Sequence, residues 1–152
     1  MRKAVVIYDT KFGNTEKIAR SLSEGLRKEG LVVDCLKIDA VDPGRLGECD
    51  LLAVGAPTQA FRISVPMKEF LRKLENVDLR GKKGFAFDTR LKRRFAGSAA
   101  NGIEKKLKEL GLRIIRDYAS AIVAGTEGPL EENAEKRFEQ IGSEIAKKAN
   151  NS

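Results

Sequence analysis

The chain has 152 residues, 41% of them apolar and 34% charged, a length and balance that fit one domain with its own core and need neither disulfides nor metals. It contains no histidine, which removes His-based triads, imidazole metal sites and imidazole acid–base chemistry, so that a bound cofactor becomes the expected carrier of any chemistry. The formal charge of +7 admits nucleic acid, an anionic membrane surface or an acidic protein partner, and equally a Lys/Glu-rich surface of the kind found in thermophiles.

In chain order, "KAVVIY" reads as a first strand, β-branched and nearly continuous and so buried on both faces. From Asn14 to Glu29 the apolar residues Ile18, Leu22 and Leu26 recur at helical spacing, and Gly30 stops the helix. "LVVDCLKI" is a second strand with the polar interruptions of an edge. "DLLAVGA" is a third, buried strand. Pro66 then opens a helix whose inner face is Met67, Phe70, Leu71 and Leu74. "KKGFAFD" is a fourth strand, Ile103, Leu107 and Leu110 mark a helix ending at Gly111, and "LRIIRDYASAIVAG" holds a fifth strand in one or two pieces. Ala134, Phe138, Ile141 and Ile145 stripe the last helix, with "NNS" expected to fray.

Strands alternating with helices predict an α/β doubly wound parallel sheet, one domain over residues 1–152, with right-handed crossovers. Cys35 and Cys49 have neither CxxC nor metal-ligand spacing and read as small buried thiols. No apolar run nears membrane-spanning length and no leader is recognisable, so a cytoplasmic location is expected.

Ligands of such sheets sit beyond the carboxyl ends of the strands. There the chain reads "DTKFGNT", directly before the first helix. A helix start leaves N–H groups unpaired and carries partial positive charge. Thr10 and Thr15 add hydroxyls, and Gly13 lets the backbone close around a small anion, so a phosphate fits. The turn is neither a P-loop nor GxGxxG, which disfavours nucleoside triphosphates and dinucleotides. An ordinary capped helix start is the alternative.

"TKFGNTEKIA" resembles the phosphate loop of flavodoxins, [ST]-x-T-G-x-T, through Thr10, Gly13 and Thr15, with Lys11 and Asn14 at variable places. Phe12 stands where the family usually has threonine, which implies one lost hydroxyl to phosphate. "VGAPTQAF" is similar to the loop after the third strand, where the resemblance implies that Thr58 reaches the phosphate and that Pro57, Gln59, Ala60 and Phe61 border the flavin ring. "FAGSAANGIEKKLKELG" is similar to the family's Phe-x-Gly segment, with Phe95 as a packing anchor followed by Gly97, and backbone groups of Asp88, Thr89 and Arg90 would tune the ring. The resemblance covers roughly residues 3–148 and implies a flavodoxin-like five-stranded sheet of order 2-1-3-4-5, helices on both faces, FMN as cofactor and one-electron transfer to a partner protein. A response-regulator receiver shares the topology but needs an aspartate where this chain has "VGAP".

The pattern breaks in two places. Flavodoxins commonly stack the flavin between two aromatic rings; here Gln59 and Lys92 fall at those positions, and Phe61 either swings in as a replacement or packs under the loop. The fourth-strand loop, usually acidic, reads "DTRLKRRFAG". Arg90, Lys92, Arg93 and Arg94 would make the flavin potential less negative and offer a docking surface for an acidic redox partner; nucleic acid is disfavoured because no aromatics interleave the run. Two other functions remain open on sequence: an FMN-dependent oxidoreductase of quinone reductase or protoporphyrinogen oxidase type, and a flavin-free binding module using the basic loop.

Overall fold

The structure is a computed structural model and describes residues 2–59, 62–92 and 97–151. Its elements are β1 (Lys3–Tyr8), α1 (Asn14–Lys28), β2 (Val32–Lys37), β3 (Leu51–Gln59), β4 (Arg62–Ile63), α2 (Val65–Lys73), β5 (Lys83–Leu91), α3 (Ala99–Glu109), β6 (Arg113–Ile114), β7 (Ala119–Val123) and α4 (Ala134–Asn150). The central path is β2-β1-β3-β5, and β6 and β7 both lie parallel to β5 on its far side. Counting β6 and β7 as one interrupted strand recovers the expected order 2-1-3-4-5.

The interruption has a local cause. Phe85 and Ala86 on β5 are opposed by the four residues 115–118, so the edge strand must bulge. Glu104 on α3 holds the bulge by accepting the Tyr118 N–H at 2.9 Å, and the Ile115 N–H donates to the Gly84 carbonyl at 3.0 Å. The outer edge of β7 is covered in turn: Glu131 N–H donates to Ile122 O and Ala124 N–H to Pro129 O.

Period-two alternation sends side chains to two cores. Ala4, Val6, Tyr8, Phe85 and Phe87 meet Ile18, Leu22 and Leu26 of α1 and Phe138, Ile141 and Ile145 of α4. Val5, Ile7, Leu52, Val54 and Ala86 meet Met67, Phe70 and Leu71 of α2 and Ile103 and Leu107 of α3. Phe87 links sheet to helix through an edge contact with Phe138, ring centroids 6.0 Å apart. On that side α1 and α4 touch backbone to backbone: a Cβ on Gly25 would overlap the Glu139 carbonyl, and one on Gly142 the Leu22 carbonyl.

Three sequence expectations are corrected. Pro57, Thr58 and Gln59 are not loop: β3 runs through Gln59 and turns back antiparallel, pairing Thr58 with Ile63 and Gln59 with Arg62. Thr89 and Arg90 are likewise strand, because β3 and β7 flank β5 as far as Pro57 and Val123. Cys49 is buried but Cys35 is only half-buried; both are free thiols, and burial pushes both above their ordinary value of 9.0. Among the described residues no helix is long and apolar enough to cross a membrane.

Candidate functional site

At the carboxyl end of the sheet a cleft of about 430 Å³ opens between the first turn and the ends of β3, β5 and β7, within the size range of small-molecule sites. Its floor is set by the start of α1. Gly13 caps that helix in the left-handed region (φ 89°), with no side chain capping it. The first N–H groups of α1 therefore face outward as donors. Nothing lies within 4 Å of where a Gly13 Cβ would stand, so the turn holds open space at the helix terminus.

The hydroxyls are arranged around this terminus with donors to spare. Thr10 Oγ1 accepts the Gly13 N–H at 2.9 Å, which shapes the turn and leaves the Thr10 O–H free to donate outward. Thr15 Oγ1 and Thr89 Oγ1 are 2.8 Å apart; whichever donates, the other keeps its proton for a ligand. Asn14 Nδ2 donates to the Glu127 carbonyl at 3.1 Å, tying the turn to the segment after β7. Phe12 is 43% exposed at the cleft mouth, with Lys11 Nζ 5.5 Å from its ring centroid.

The opposite wall is built by strand alternation. Thr89 points to the α1 side, while its neighbours Asp88 and Arg90 point to the α3 side. Arg90 lines the cleft, and its Nε–H is buried without a partner. That orphaned donor calls for an acceptor atom from a ligand. Asp88 lies behind the wall, with no exposed surface.

Thr10, Lys11, Phe12, Asn14 and Thr15 thus meet Pro57, Thr58, Gln59, Thr89 and Arg90 along one cleft. Gly13 shapes it from behind, and neither Asp88 nor Gly97 lines it. The Thr58 hydroxyl, expected at the phosphate, donates to Asp88 Oδ2 at 3.0 Å and accepts the Ala99 N–H at 2.8 Å. Ala60, Phe61, Arg93, Arg94 and Phe95 lie outside the described residues. Sequence reasoning missed Leu91, Val123 and Thr126, which also line the cleft. Val123 ends the interrupted fifth strand, so its place at the carboxyl end of the sheet was the available signal.

A doubly wound sheet with a donor-rich turn after its first strand and a cleft over its carboxyl ends defines a small class of ligand-carrying α/β proteins. The family model for flavodoxin matches residues 6–141. A flavodoxin of Clostridium saccharobutylicum is 28% identical over 96% of both chains, and one of Maridesulfovibrio salexigens is 30% identical over 77% of this chain and 84% of its own. The solved structure of a flavodoxin from the domain Archaea superposes with a TM-score of 0.86 at 25% identity, covering 97% of this chain and 99% of that one. The chain belongs to the flavodoxin family. Membership makes it an electron-transfer protein with a flavin cofactor. The donors around α1 and the orphaned Arg90 Nε–H fit such a group, one end anionic and the other rich in acceptors.

Proposed function

We propose that the chain binds FMN non-covalently and passes electrons to an acidic partner protein, as one cytoplasmic domain without substrate turnover. The observation that carries this reading is the start of α1, which no side chain caps and beside which the Thr10, Thr15 and Thr89 hydroxyls stand. Helix N–H groups and spare hydroxyls together favour a phosphate monoester at that point. Bound there, FMN supplies the redox chemistry. Thr10 and the Thr15–Thr89 pair hold the phosphate, while Pro57, Gln59 and Arg90 border the ring and exclude water from it. On the strength of the family resemblance Ala60 and Phe61 complete the ring side, with Phe95, followed by Gly97, as the packing anchor of the segment beyond.

The rim supports the choice of partner. Lys11, Arg62 and Lys92 are exposed there and enter no ion pair among the described residues. Unpaired cations around a redox centre steer an acidic surface onto it, in a salt-dependent way. The test is a titration of the apo-protein with FMN, followed by flavin fluorescence, alongside a turnover assay with NAD(P)H and quinone. Quenching at one flavin per chain without sustained turnover is expected. Absence of quenching into the high micromolar range refutes flavin binding, and steady turnover refutes the carrier assignment.

A further inference from the structure

We infer that Asp88 is a positioning residue that holds the two ring-side walls of the cleft in register, an inference that rests on the flavin reading above. Asp88 has no exposed surface and sits on β5 beside Ala56 of β3. Three donors converge on its Oδ2: the Thr58 hydroxyl at 3.0 Å, the Ser98 hydroxyl at 2.6 Å and the Ala100 N–H at 3.0 Å. The node is closed by the Ala99 N–H, which donates to Thr58 Oγ1 at 2.8 Å. One carboxylate oxygen therefore joins the end of β3, the end of β5 and the first turn of α3.

The position of this node matters more than its strength. Gln59 and Arg90, which border the cleft, lie one residue beyond Thr58 and two beyond Asp88. Thr58 lines the cleft at the end of β3, and Ser98 caps the start of α3. Residues with separate backbone attachments are thereby held at one spacing before any ligand arrives, so the ligand need not order them. The phosphate side is not connected to the node: Thr15 and Thr89 pair on the opposite face of β5.

Structure alone gives little reason for a carboxylate here. Its Oδ1 is buried without a partner, which costs stability relative to an apolar residue of similar size. What the carboxylate adds is an oxygen that accepts three donors at once, from two hydroxyls and a backbone N–H, of which the Ser98 bond is the short one at 2.6 Å.

The experiment measures FMN and riboflavin affinity for the wild-type chain, Thr58→Val, Ser98→Ala and their combination, then repeats the set on the Asp88→Asn background. Thr58→Val and Ser98→Ala are each expected to weaken FMN about five- to tenfold, and the combination little more than either, because both act through one carboxylate. On the Asp88→Asn background each should change affinity less than about twofold. Riboflavin, which lacks the phosphate, should lose affinity by the same factor as FMN. A merely structural role would move the unfolding midpoint of the apo-protein and leave these ratios unchanged. Additive losses, Asp88→Asn binding FMN like wild type, or losses confined to FMN would each overturn the inference. Should Asp88→Asn fail to fold, the Thr58–Ser98 cycle in the wild-type background decides alone. A wild-type chain that binds no flavin is a separate result, and it refutes the flavin reading on which the inference rests.

Discussion

Replacing Thr15 and Thr89 by valine, singly and together, separates the fold from the site. The two hydroxyls are 2.8 Å apart, and their residues are 1% and 4% exposed. Valine preserves the shape of threonine, so each single change removes one partner and leaves the other hydroxyl, on a buried residue, without its protein partner. An unsatisfied buried hydroxyl costs about 1–3 kcal/mol. Thr15→Val and Thr89→Val should therefore each destabilise the apo-protein by that amount. The double variant removes both polar groups, leaves nothing stranded and should return close to wild-type stability. Flavin binding follows a different rule. The hydroxyl left in each single variant still has a proton to donate, whereas the double variant has none, and a hydrogen bond to a charged group is worth about 1.5–3 kcal/mol. FMN affinity should then fall roughly ten- to a hundredfold in the double variant and less in the singles. Urea unfolding of the apo-proteins reads the first quantity and fluorescence titration with FMN the second. Additive destabilisation in the double variant would refute the paired-hydroxyl argument, and undiminished FMN affinity would refute the phosphate role.

Other expectations follow from other parts of the molecule. Gly142→Ala should destabilise by at least about 2 kcal/mol, because the new methyl overlaps the Leu22 carbonyl and α4 must lift off α1; a thermal midpoint within a degree of wild type would contradict the close helix crossing. Neutralising the exposed Lys92 to glutamine should make the flavin potential more negative by about 18 mV, taking ~0.4 kcal/mol for one charge at ~10 Å in near-aqueous dielectric. That shift should shrink with added salt, and an unchanged or less negative potential would argue against the basic rim. Burial raises the Cys35 and Cys49 thiols above 9.0, so the folded state holds their protons more tightly than the unfolded chain. Their contribution to stability is full below that value and lost as pH climbs through the raised folded values. Urea midpoints should thus fall above about pH 9, and less steeply in a Cys35→Ala/Cys49→Ala variant; equal slopes would refute the assignment.

Much of this architecture was legible because apolar periodicity and glycine stops coincide, as at Ile18, Leu22, Leu26 and Gly30. The antiparallel turn to β4 was not, since a strand of two residues carries no period. Pro57 and Thr89 read as loop because their composition is that of a turn; flanking strands made them sheet. Gly25 lies between Leu22 and Leu26 on the apolar face of α1, yet a lone glycine there reads as a helix penalty until α4 is known to cross it. The turn after β1 was legible as a donor-rich helix start because Thr10, Gly13 and Thr15 are neighbours in sequence, whereas the pairing of Thr15 with Thr89 follows only from the fold. Asp88 was not: its partners Thr58, Ser98 and Ala100 are brought to it only by the parallel pairing of β3 with β5 and the packing of α3 on them.

The central claim is that the start of α1 holds the phosphate of a bound flavin, and the most direct measurement compares FMN with riboflavin on the same apo-protein. The account predicts quenching of both, with FMN bound more tightly by at least about tenfold, and an advantage that disappears when Gly13 is changed to alanine. Equal affinity for the two flavins, or no binding of either, would contradict it.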